Sequence, residues 1–188
     1  MIRIRLSTPP QLDEEQTRLY RSITGGSRAQ GVQHFALTNP DGSLAGPFNA
    51  LLLAPALGDA LQQLGAAIRY RTALSDRSRE IAILIVAAHW DSAFERMAHE
   101  SVGRAVGLTE AEIAVLRSGS LPELPDGHEA ACAQASHALV KGDIDDALWR
   151  DLRATLDEST LFELSTLVGY YSTLALQLRV FRVDEREA

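Results

Sequence analysis

The stretch SDRSREIAILIVAAHWDSAFERMAHESVGRAVGLTEAEIAVLRSG, residues 75–119, carries most of the chain's candidate chemistry: Glu80, His89, Asp91, Glu95 and His99. Ser75, with Asp76 behind it, reads as a helix start, because a short polar cap and early acid satisfy free N–H groups and the helix dipole. An apolar run from Ile81 to Ala88 follows. A second helical pattern then places Glu95 and His99 one turn apart, and Gly107 closes it. On one continuous helix, Glu80 and His99 would lie about 28 Å apart. A site shared between them therefore demands a break and a reversal. Ser92 and Glu95 have capping-box spacing, which places that break within Trp90 to Ala93.

Working outward, helical signals continue in both directions. Ser7-Thr8-Pro9-Pro10 reads as a helix start, with Leu12, Leu19 and Ile23 on one face and Gly25-Gly26 as the stop. Residues 27–46 show no period, and Asn39-Pro40-Asp41-Gly42 is a turn signal. Gly46-Pro47-Phe48-Asn49 opens a short helix that Pro55 restarts. Leu57, Leu61, Leu64 and Ile68 then mark one face of a helix ending near Arg69-Tyr70-Arg71. Downstream, Thr109 and Glu112 box a short helix ending at Ser118-Gly119. An alanine-rich helix is expected over about 127–140, and another after Asp143 with Leu148, Leu152 and Leu156 on one face. The last and longest is expected from Thr160, boxed with Glu163, through Leu164, Leu167, Val168, Tyr171, Leu174 and Leu178. Gly169 within it suggests a close helix contact. With no strand pattern and no internal repeat, the predicted class is all-α, as one domain.

The chain has 188 residues, 46% of them hydrophobic, enough for a substantial core. A formal net charge of -7 argues against nucleic-acid partners, which need a clustered basic face. A single cysteine, Cys132, excludes an intramolecular disulfide and fits a reducing compartment. The opening MIRIRLSTPP lacks an apolar core and a cleavage pattern, and the longest apolar run is too short for a bilayer. The expectation is a soluble, cytoplasmic protein without a membrane partner.

Each candidate has an ordinary structural use beside its chemical one. A carboxylate next to an imidazole favours the imidazolium, so Glu95 and His99 suit a proton donor or shuttle; they also suit a cap and a surface pair. Glu80 stands in a first turn, where acids commonly answer the dipole. His89, Asp91, Glu95 and His99 are all ligand types, but their order lacks an HExxH or ExxH pattern, so no metal is assigned. No phosphate-cradling glycine loop or other cofactor motif appears. Arg69 and Arg71 could clamp a substrate carboxylate or simply favour a helix C-terminus. Trp90, beside the break, could be core or a stacking platform. A buried, strongly shifted His99 would favour an enzyme; an exposed, unperturbed one would favour a binding or structural role.

The segment resembles the carboxymuconolactone decarboxylase family, within the alkylhydroperoxidase D superfamily. The matching features are Arg79-Glu80 before an apolar helix, Phe94-Glu95 with His99 four residues after the glutamate, Gly107-Leu108-Thr109, and Glu112-Ile113. Gly46-Pro47-Phe48, Pro55, Leu64-Gly65 through Arg69, and Glu163-Leu164 through Tyr170-Tyr171 extend the likeness to residues 44–183, leaving 1–43 as an extension. The peroxidase branch carries a CxxC pair where this chain has Ser92 and Glu95, so a dithiol cycle is not expected. The resemblance implies a homo-oligomer, a trimer or hexamer, and a cofactor-free lyase acting on a small carboxylated lactone or related acid. A peroxidase-like enzyme or a non-catalytic metabolite-binding oligomer are the alternatives. By position, Glu80, Glu95 and His99 carry over as the proton-handling set. His99 is then the acid, Glu80 orients it or relays its proton, and Arg69 and Trp90 contact substrate.

Overall fold

The structure is a computed structural model, and it describes residues 2–26, 30 and 35–183. Among these the chain is all-α, with a single isolated bridge between Thr38 and Leu44. A 3₁₀ turn over Pro9–Gln11 precedes α1 (Glu14–Gly25), α2 (Phe48–Leu51), α3 (Pro55–Arg71), α4 (Asp76–His89), α5 (Ala93–Ala105), α6 (Glu110–Arg117), α7 (Gly127–Leu139), α8 (Asp146–Leu152) and α9 (Glu158–Phe181). No helix among the described residues is long and apolar enough to cross a membrane.

The described residues fall into two compact units. One draws on Met1–Tyr70 and Leu174–Ala188, the other on Arg71–Thr173. The first has its core at Leu19, Ile23, Leu44, Phe48, Leu51 and Leu52. Its entry differs from the sequence expectation. Thr8 and Gln11 box only the 3₁₀ turn, and Asp13, not Ser7 or Thr8, caps α1 through a reciprocal pair with Gln16. Two consecutive prolines remove two N–H groups from the ladder, so a tight turn forms and the helix begins beyond it. Leu12 thus lies ahead of α1, packed against the core from outside the helix. The 39–42 turn forms as expected, with the Gly42 N–H donating to the Asn39 carbonyl at 2.9 Å and Gly42 at φ +83°. Much of the expected 27–46 loop, residues 27–29 and 31–34, lies outside the described residues.

Helix α3 buries the expected face only in part. Ile68 is buried with Gly58 and Gly65, and Leu61 packs against the core of this unit, whereas Leu57 is 63% exposed and Leu64 39%. A Cβ on Gly58 would collide with the Leu51 carbonyl oxygen and press on Leu19. Close approach of α2 therefore selects the glycine edge of α3, and Leu57 and Leu64 are left outward.

The second unit is built around α4, whose residues Ser78 to Ala87 are all buried. A helix apolar all round needs partners on every side, and α4 packs against α5, α6 and α7. Ile81, Leu84 and Ile85 share a cluster with Leu108, Ile113, Leu116 and Ala133. The Thr109/Glu112 capping box forms as read. The Thr160/Glu163 box does not: Asp157 accepts from the Thr160 N–H, and the Glu163 carboxylate accepts from the backbone N–H of Ala73 at 3.0 Å. Gly169 is exposed with nothing near it, so it marks no close helix contact.

Candidate active site: a histidine between two glutamates

The reversal at residues 90–92 follows from backbone hydrogen bonding. Trp90 ends α4 in a helical conformation and Asp91 turns left-handed at φ +50°. The Asp91 N–H then donates to Ala88 O at 3.2 Å, and the Ser92 N–H to Ala87 O at 2.9 Å. This pair is a Schellman motif, with aspartate where glycine is usual; Asp tolerates that region better than most residues. Ser92 is at once the last residue of this motif and the N-cap of α5, its Oγ accepting from the Glu95 N–H. Two helices thus meet with no spare residue between them, giving a tight helical hairpin.

That hairpin brings Glu80 of α4 against Glu95 and His99 of α5. His99 Nδ1 lies 2.7 Å from Glu80 Oε2, and its Nε2 lies 3.3 Å from Glu95 Oε2. Glu80, Glu95 and His99 are all buried. Glu95 was expected to close a capping box on Ser92. Its N–H does take the cap, while its carboxylate turns to the imidazole instead. The ring of Tyr171, from α9, meets His99 edge-on with centroids 5.2 Å apart, and Tyr170 meets Tyr171 in the same way. The sequence reading placed Tyr171 only on an apolar stripe; its position against His99 depends on tertiary packing that helical spacing does not encode.

Electrostatics fix the state of the imidazole. Burial alone would lower its pKa, but the charge and hydrogen bond of Glu80, joined by those of Glu95, outweigh it and raise the value from 6.5 to about 9. His99 is therefore an imidazolium at neutral pH, its Nδ1–H hydrogen-bonded to Glu80 and its Nε2–H in an ion pair with Glu95. Oε1 of Glu80 and Oε1 of Glu95 are both buried and without hydrogen-bond partners. An unsatisfied buried acceptor costs roughly 1–3 kcal/mol, so two on one triad mark a place where a donor or a proton belongs.

The remaining candidates are not members of this hydrogen-bonded and ion-paired group. Trp90 is half-buried with its ring against His89, centroids 5.9 Å apart. Arg69 lies half-buried on α3 in the first unit. Asp91 is exposed and paired with Arg96, and His89 is exposed at the end of α4. The four-ligand arrangement of His89, Asp91, Glu95 and His99 does not form; among the described residues no three His, Cys, Asp or Glu side chains are grouped to hold a metal ion. Compared with known proteins, the chain matches no family model and no curated sequence.

Proposed function

We propose that the chain is a cofactor-independent carboxy-lyase of the carboxymuconolactone decarboxylase kind, with an alkylhydroperoxidase D-like helical fold, acting on a small carboxylated lactone or related acid. The observation that carries this reading is the buried Glu80–His99–Glu95 triad with two unpartnered carboxylate oxygens. Burial together with a raised pKa is the combination that favours an enzyme over a binding module. In the proposed reaction the bond to the carboxylate breaks, its electron pair passes into the adjacent carbonyl as an enolate, and CO2 leaves. A proton then passes from the His99 imidazolium to the α-carbon by way of the Glu95 carboxyl group, which is left as the carboxylate it began as. Solvent returns the proton to the imidazole. The contact lengths support this division of labour: Glu80, at 2.7 Å, anchors the ring, while Glu95 at 3.3 Å is held less tightly.

A peroxidase reading finds little support. Burial pushes the Cys132 thiol up to about 11, so little thiolate exists near neutrality, and the family's two sulfur positions hold Ser92 and Glu95. Assembly into a homo-oligomer, a trimer or hexamer, is part of the proposal, and the outward-turned Leu53, Leu57 and Leu64 support it. The test is CO2 release from a panel of carboxylated lactones. Turnover by the wild type that Glu95→Gln loses is expected; no release from any member by folded protein would refute the lyase reading.

A further inference from the structure

A second feature of the Arg71–Thr173 unit is separate from the triad. Where α4, α6 and α7 end, a cavity of about 300 Å³ opens, at the small end of the range for ligand sites. Its ionisable lining residues are His89, His137 and Lys141, and no acidic side chain lines it, although acids outnumber bases in the chain. Ile85, Leu116 and Val140 form apolar wall, and Ser120 also lines the cavity.

Basic residues at helix C-termini have an ordinary explanation, since each helix end carries about half a negative charge. Here that charge is largely answered by the backbone. Ala87 O and Ala88 O of α4 accept from Ser92 and Asp91, Val115 O and Leu116 O of α6 from Ser120 and Gly119, and Ala138 O and Leu139 O of α7 from Lys141 and Gly142. The three basic side chains therefore line one cavity with no acidic side chain among its lining residues.

We propose that this cavity binds a small organic carboxylate, its anionic head held by His89, His137 and Lys141 and its apolar body against Ile85, Leu116 and Val140. The behaviour of His137 agrees with the geometry: burial, then the charges of Lys141 and His89, hold its pKa below the ordinary 6.5. An anion among the three groups reverses the repulsive part of that shift. By linkage, its affinity rises as pH falls and His137 protonates. The site stands independently of the lyase reading, because no triad residue lines it.

The test follows the imidazole nitrogens of the intact protein by NMR during titration with sodium benzoate at constant ionic strength. Expected are saturable shifts at His89 and His137, with none at His99 or His128, and a Kd on the order of 1 mM. Affinity should increase between about pH 8 and about pH 6. Inorganic phosphate and acetate, which lack an apolar body, should bind several-fold more weakly. Lys141→Gln, at an exposed position, should weaken benzoate by about tenfold, and adding His137→Gln should remove saturation. Shifts that stay linear in benzoate, or that sodium chloride reproduces, would overturn the site. Phosphate binding as tightly as benzoate would overturn the carboxylate assignment. Lyase activity plays no part in either readout, so failure here and failure of the triad reading are distinguishable.

Discussion

Nδ1 of His99 lies 2.7 Å from Oε2 of Glu80, although the two residues stand 19 apart in the chain. Both are buried, so the contact is a charge-assisted hydrogen bond in surroundings where charge is poorly screened. The ionic part of that contact stabilises the fold only while the imidazole holds its second proton.

Stability should therefore fall in alkali. A pKa raised from 6.5 to about 9 contributes stability that is fully present below 6.5 and is lost as pH climbs through about 9. The ceiling on this contribution is on the order of 3 kcal/mol. Urea unfolding at several pH values across that window should show the decline, and His99→Gln should flatten it. A wild-type stability independent of pH there would contradict the charged triad.

Removing the imidazole altogether should have a different signature. His99→Ala leaves two carboxylates buried without their cation, a loss of roughly 3–5 kcal/mol by analogy with broken buried pairs. The deficit should shrink as pH drops into the carboxylate range, because protonation of Glu80 and Glu95 relieves it. Thermal melts of mutant and wild type, compared at neutral and acidic pH, would reveal this convergence.

The two glutamates should separate in mutagenesis. Glu95→Gln keeps a side chain of the same shape and removes the proposed proton carrier, so turnover should fall by about 10²- to 10⁴-fold with a small change in stability. Glu80→Gln removes the shorter contact, and should chiefly lower the pKa of His99 and the melting temperature. An NMR titration of His99 in each variant checks the assignment; equal pKa displacements in both would contradict it.

Asp91 offers a test of the turn. At φ +50° a β-branched side chain is strongly disfavoured, so Asp91→Val should destabilise by roughly 1–3 kcal/mol. Asp91→Gly should be tolerated or mildly stabilising, since the exposed pair with Arg96 contributes little. Denaturant midpoints of the two variants should move in opposite directions.

The second helical hairpin partner was legible because its signals are local. Ser75, Ser92 and Thr109 each cap the helix that the sequence assigned to them, and the need for a reversal came from simple length. What helical spacing could not supply was choice among competing partners. Glu95 and Glu163 both stand at box positions, yet neither carboxylate closes its box: that of Glu95 goes to His99 one turn along the same helix, and that of Glu163 goes to Ala73, which only the tertiary fold brings near. The leucines of α3 have a clear period, but steric access at Gly58 decides which edge turns inward. Tyr171 and the cavity at His137 belong to the same category: each arises where several chain segments converge.

The shared cap at Ser92 makes the site answerable to a length as well as to side chains. One residue inserted between Trp90 and Ala93 would turn α5 by roughly 100° and advance it by about 1.5 Å, carrying His99 off the line to Glu80. Every ligating group would still be encoded, yet the triad would be taken apart. Point substitutions across residues 90–93 are thus survivable in kinds that single-residue insertions and deletions are not, and a deep insertion scan should find this connection among the least elastic positions in the protein.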